Sequence, residues 1–203
     1  MKTEPNITIS DQIQQALTDQ IICGQLLPDE KLRQDHIAKT FNTSHVPVRE
    51  ALLRLEARGL AVSIPRHGVR VTPFNPGDIL EIKAMRLALE PLALHHAIPK
   101  MTPDDLNIAK DAQRACDDAH DLISWEQTNR QFHSAILAAC AMPRLLSAIE
   151  NLQILSARHL LGTWRSTWEE RTDRDHTAIL NAMIRKDSDA AISVLKRHLQ
   201  RLG

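Results

Sequence analysis

Apolar positions recur at helical spacing along most of the chain. In "TISDQIQQALTDQIICG", residues 8–24, Ile13, Ala16, Leu17 and Ile21 fall on one side of a helix. Ser10 is placed to cap its start and Gly24 its end. "RQDHIAKTF" predicts a short second helix with Ile37, Ala38 and Phe41 inward. After the break "NTS", Val48, Ala51, Leu52, Leu55 and Gly59 follow at i, i+3, i+4, i+7 and i+11, a third apolar stripe. The period then changes. "LAVSIP" and "GVRVTPF" are short β-rich runs meeting at "RHG", which predicts a hairpin with Gly68 at the turn. From Asn75 onward strand patterns vanish. Six helices are predicted near 76–98, 103–119, 121–140, 143–162, 168–186 and 188–201, with Thr102-Pro103 as a cap followed by proline at the first helical position. The shift at "TPFNPGD" divides the chain into a small domain over 1–74 and an all-helical domain over 75–203. The fold class is therefore mainly α, with one small hairpin.

Composition refines this picture. Aromatics are 3% of residues and tyrosine is absent, so Leu, Ile, Val and Ala must fill the core, as suits packed helices. No apolar run approaches the ~20 residues that span a bilayer, and "MKTEPNITIS" lacks a signal-peptide apolar stretch. A cytoplasmic protein without membrane contact is expected. Cys23, Cys116 and Cys140 are widely spaced among apolar residues and read as reduced core thiols. Net charge is zero, but it is unevenly spread. Residues 31–74 carry eight Lys/Arg against three acids, a local +5. One anionic contact surface explains that imbalance; a solvated surface with a chance excess is the alternative.

The third helix carries the clearest chemistry. With Ser44 as N-cap, its hydroxyl can accept a first-turn N–H. Pro47 then falls in the first turn, where its missing N–H removes no intrahelical bond. His45 and Arg49, four apart, share a polar face distinct from the stripe, near Val46. A major groove about 12 Å wide accepts such a helix, and an arginine can donate two bonds to a guanine. The short preceding helix completes a helix-turn-helix, and the hairpin becomes a wing whose Arg66 and His67 reach phosphate or minor groove. Arg33 is assigned to phosphate on charge grounds.

These stretches resemble the GntR family of bacterial transcription regulators. The matching pieces are "IICGQLLPDEKL", "IAKTFNTSHVPVREALLRLEARGL" and "IPRHGVRV". The helical remainder looks like the FCD ligand-binding domain of the FadR subfamily, and six helices favour its VanR-like branch. The resemblance implies a winged helix-turn-helix followed by an FCD-like bundle. It further implies a homodimer on palindromic double-stranded DNA and a small carboxylate effector bound in the bundle. The roles of Ser44, Arg49 and Gly68 carry over from the family pattern. Two positions depart from it: His45 stands where the family usually has arginine, and Pro28-Asp29 replaces the usual Pro-Gly turn.

In "WEQTNRQFHSAI", Asn129 and His133 are four apart on one helix face. His176 lies about ten residues before the bend at 186–188 and His198 about eleven after it. At ~1.5 Å rise per residue the two come level in a helix hairpin. Three imidazoles and one side-chain oxygen can then converge on a divalent transition metal such as Zn or Ni. On spacing alone, separate surface or core histidines remain the commoner arrangement. The family resemblance supports the site, since metal-binding FCD domains use "DxxxH" on this helix and one His on each of the last two. Asn129 stands where that Asp should be, so the site lacks a negative charge. Arg86 and Glu90, in "MRLALEP", match the FCD pattern "RxxLE". Arg86 reads either as the partner of an effector carboxylate or as half of a surface i,i+4 pair. A metal-dependent enzyme built on His133, His176 and His198 is the alternative from another class. It is disfavoured by the absence of HExxH and of a carboxylate in an evident general-base position.

Overall fold

The computed structural model describes residues 7–164, 168–169 and 172–201. It divides into two compact units between Asn75 and Pro76.

The first unit holds α1 (Ile9–Ile22), α2 (Gln34–Thr40), α3 (His45–Ala57), β1 (Ala61–Ile64) and β2 (Gly68–Val71). α1 starts one cap earlier than expected. Thr8 caps it, its hydroxyl accepting from the N–H of Asp11, whose carboxylate accepts the Thr8 N–H. Ser10 lies inside the first turn and is buried. Ile13, Leu17 and Ile21 of α1 pack with Val48, Ala51, Leu52 and Leu55 of α3 to form the core. Gly59 does not belong to that stripe. It follows the C-cap Arg58 at φ +74°, where a left-handed residue closes the helix and glycine is least strained. The strands pair antiparallel, Ala61 opposite Val71 through Ile64 opposite Gly68. Lys31 bridges to Arg70, and the Leu32 N–H donates to the Val69 carbonyl at 2.9 Å, so the α1–α2 connection lies along β2.

The second unit holds α4 (Pro76–Ala97), α5 (Pro103–Asp117), α6 (Leu122–Leu137), α7 (Pro143–Trp164), α8 (Arg174–Ile184) and α9 (Ser188–Arg201). Thr102 caps α5, as its sequence predicts, and the structure adds a box with Asp105. α8 begins at Arg174 rather than at 168. Trp168, Glu169, Thr172 and Asp173 are outside any helix, and 170–171 lie outside the described residues. Asp173 sets the start, its side chain accepting from the N–H groups of Asp175 and His176. α8 and α9 form a tight hairpin. Lys186 adopts φ +57°, and the Asp187 carboxylate accepts the Ala190 N–H at 3.0 Å. The core gathers Phe132, Ile136 and Leu137 of α6 with Ile179, Leu180 and Met183 of α8 and Leu195 and Leu199 of α9. Cys116 and Cys140 are buried and Cys23 is half-buried; all three are free thiols. The architecture is thus mainly helical, a helix-turn-helix with a two-stranded wing and then a helical bundle, as the sequence pattern predicts. Among the described residues no helix is long and apolar enough to cross a membrane.

Candidate functional site: an arginine-bearing helix face and a buried histidine centre

Ser44, the N-cap of α3, and His45, Val46 and Arg49 are all exposed around the start of that helix. They form a continuous outward face because the alternate positions, Val48, Ala51 and Leu52, are held in the core. Ser44 departs from expectation in one respect: its side chain makes no capping hydrogen bond. His45 Nε2 lies 3.5 Å from an Asp35 carboxylate oxygen. Neighbouring arginines separate into two kinds. Arg54 is engaged by Asp11, and Arg70 donates to the Asp29 carbonyl at 2.7 Å. Arg33, Arg49 and Arg66 are exposed and form no ion pair with any described residue. Arg49 pairs with neither Glu50 nor Glu56, its acidic neighbours on α3. Arg66 and His67 stand at the exposed tip of the hairpin, followed by Gly68 at φ +83°. A Cβ at Gly68 would meet Lys31 Cε at 3.4 Å.

In the bundle, the three histidines do converge. His133 from α6, His176 from α8 and His198 from α9 are buried, with exposures of 0%, 0% and 3%. His198 Nε2 lies 3.2 Å from His133 Nε2 and 3.3 Å from His176 Nε2. The α8–α9 hairpin therefore brings its two histidines level. Phe132 stacks on His176 with ring centroids 4.0 Å apart and fixes its plane. Asn129, one turn before His133, is 4% exposed, and its carbonyl oxygen has no hydrogen-bond partner. The buried His176 Nδ1 has none either.

Carboxylates surround this centre. Glu90 of α4 accepts from Arg86 Nε at 2.7 Å and lies 2.9 Å from His133 Nδ1. Burial alone would raise its carboxyl, but Arg86 and then His133 hold it down at about 2. An ionised Glu90 fixes the His133 proton on Nδ1 and turns a bare Nε2 lone pair toward the other imidazoles. Arg86 also donates to Ser156 Oγ at 2.8 Å. The Arg86–Glu90 pair is thus real but buried, not a surface pair. Glu126, paired with Arg130, has its carboxyl raised by burial against the pull of Arg130 and Arg86. Asp173 Oδ2 stands 3.5 Å from His198 Nδ1 and 3.8 Å from His176 Nε2. Burial pushes the Asp173 carboxyl up, and the hydrogen bonds from the Asp175 and His176 N–H groups only partly oppose this. Burial, then His198 and His133, pushes His176 well below the ordinary imidazole value, so its ring is neutral.

This donor set suits a divalent ion. Two nitrogens bonded tetrahedrally to one Zn at 2.0–2.1 Å stand about 3.3 Å apart, close to the spacings seen. A proton shared between ring nitrogens serves a pair, whereas a cation serves all three. Asn129 Oδ1 supplies a further oxygen in want of a partner. His133 already has its Nδ1 backed by a carboxylate, the usual arrangement behind a metal-bound imidazole. Sequence reasoning missed Asp173, Asp175 and Ser156. The Asp173 signal was present in "DRDH", where a carboxylate three residues before His176 must share its end of the helix.

Comparison with known proteins decides the family. The model described as "Bacterial regulatory proteins, gntR family" matches residues 9–71, and the FCD domain model matches residues 81–201. The chain belongs to the GntR family of regulators with an FCD domain. It is similar to the HTH-type transcriptional repressor GlaR of Escherichia coli K12, 28% identical over 196 residues, covering 90% of this chain and 89% of GlaR. The regulator McbR of the same organism is 30% identical over 152 residues, which span 73% of this chain and 69% of McbR. The solved structure of E. coli McbR/YncC matches with a TM-score of 0.85 at 25% identity, covering 96% and 95% of the two chains. As a GntR-family member the protein is a DNA-binding transcriptional regulator. The enzyme alternative finds no support among relatives or fold neighbours, which are regulators.

Proposed function

We propose that this GntR-family regulator, of the FadR subfamily and cytoplasmic, binds a palindromic operator as a homodimer and responds to an organic acid held in its helical unit. The observation that carries the DNA reading is Arg49. It is exposed on the first turns of α3 without an ion pair to any described residue, while nearby Arg54 is engaged by Asp11. In this reading Ser44, His45, Val46 and Arg49 of α3 meet base edges in the major groove. Arg33 contacts phosphate, and Arg66, His67 and the Gly68 turn let the wing approach the backbone. His45, shorter than arginine and neutral when unprotonated, gives an operator whose half-site differs from the family's usual one.

In the helical unit, Asn129, His133, His176 and His198 hold a divalent transition metal such as Zn or Ni. When bound, the ion supplies a Lewis-acidic contact for an effector carboxylate. Arg86 supplies a second. Its hydrogen bonds to Glu90 and Ser156 use Nε and Nη1, leaving Nη2 without a hydrogen bond to any described residue. Effector binding releases DNA only through a difference in affinity between two arrangements of the regulator.

A gel shift on a fragment of the protein's own upstream DNA tests the reading. Losing one bidentate guanine contact costs about 1–3 kcal/mol, so Arg49→Ala weakens the specific complex roughly 5- to 150-fold. Weak, steeply salt-dependent binding to other DNA persists. Equal affinity of Arg49→Ala and the parent chain for every fragment removes the base-reading role.

A further inference from the structure

The histidine centre has an unbalanced charge. Its donors, three imidazoles and the Asn129 carbonyl, are all neutral, whereas a divalent cation there is buried. A divalent ion held only by neutral donors keeps its full charge, and an anion close by lowers the cost of burying it. Four carboxylates surround the site, and three are already matched to arginine. Glu90 pairs with Arg86, and Glu126 pairs with Arg130. Asp175 is held by both Arg197 and Arg201. Asp173 has no Lys or Arg partner among the described residues; its ion contacts are His176 and His198.

The two oxygens of Asp173 are divided between tasks. Oδ1 accepts the N–H groups of Asp175 and His176 at 2.9 and 3.3 Å, capping α8. Oδ2 takes no part in the cap and faces the histidines, and the side chain is 14% exposed. The α8 cap therefore orients Oδ2 toward the rings as a consequence of local backbone geometry.

We propose that Asp173 supplies the negative charge of the metal centre, in place of the carboxylate that Asn129 does not provide. The charge lost from α6 is returned from the N-terminus of α8. The proposal rests on the metal reading of the histidine centre, and the test separates the two.

Full-length protein without a histidine tag is stripped with a chelator and titrated with Zn by calorimetry. The variants are Asp173→Asn, His133→Ala and the double variant Asp173→Asn/Asn129→Asp. Asparagine caps a helix about as well as aspartate, so Asp173→Asn removes the charge and leaves the α8 start in place; circular dichroism checks this. Asp173→Asn binds Zn ~10–100-fold more weakly than the parent chain. Adding Asn129→Asp restores affinity to within a few-fold, because charge on either side of the ion serves. Parent-like binding by Asp173→Asn alongside loss in His133→Ala overturns the role of Asp173 and leaves the metal site standing. A double variant as weak as Asp173→Asn also overturns it, since a structural defect rather than charge is then responsible. A folded parent chain that takes up no Zn overturns both readings.

Discussion

Glu90→Gln isolates the electrostatics that hold the bundle interior together. Glu90 is 0% exposed and faces Arg86 and His133. Burial works against its charge, yet Arg86 and His133 draw the carboxyl from 4.5 to about 2. That displacement corresponds to roughly 3 kcal/mol of stability at neutral pH. An independent figure agrees: breaking a buried pair by removing one partner costs ~3–5 kcal/mol, here because Arg86 is left uncompensated. The sign follows from linkage. The folded-state value lies below the unfolded one, so the stabilisation is complete above pH 4.5 and disappears as pH falls toward 2. At pH 3.5 about 2 kcal/mol of it remains. All three tryptophans, at 125, 164 and 168, lie in the second unit, so urea unfolding followed by tryptophan fluorescence reports that unit alone. With a urea slope of ~2 kcal/mol/M, Glu90→Gln lowers the midpoint at pH 7 by about 1.5 M. The gap narrows at pH 3.5. An unchanged midpoint at pH 7, or a deficit that does not depend on pH, refutes the reasoning.

Phe132 is fully buried and stacked on His176. Phe132→Ala should destabilise the bundle by ~3–5 kcal/mol in the same urea assay. It should also weaken Zn uptake, because the His176 ring loses the surface that orients it. His176 predicts an acid sensitivity of its own. The ring stays neutral in the folded chain but accepts a proton near 6.5 once unfolded. Stability of the metal-free bundle therefore declines as pH drops from 7 to 5.5, and His176→Gln flattens that decline.

The helices were legible because their apolar stripes are, and Ile13, Leu17, Val48 and Leu55 are buried where the period requires. Cap positions were less so. Both Thr8 and Ser10 are capping types, and only Asp11, three residues after Thr8, distinguishes them through its return bond. The start of α8 was misplaced because the run from Trp168 has no proline or glycine to stop it, whereas Asp173 stops it by side-chain hydrogen bonding. The levelling of His176 and His198 followed from two distances along a hairpin, an arithmetic that survives small errors in helix ends, whereas the joining of His133 to them rested on the family pattern. The carboxylates around the three histidines did not follow. Whether Arg86 and Glu90 lie on a surface or inside depends on α7, which brings Ser156 to Arg86 from 70 residues away. Spacing within one helix carries no such information.

Glu90 touches Arg86 with one oxygen and His133 with the other. A single side chain thus divides its electron density between a guanidinium and an imidazole. Whatever anion draws Arg86 away leaves more of that density for His133 and makes its far nitrogen a stronger donor. Whatever loads that nitrogen pulls the same carboxylate toward the ring and frees the guanidinium. An anion at Arg86 and a cation at His133 would therefore each help the other to bind, and by thermodynamic necessity the two gains would be equal.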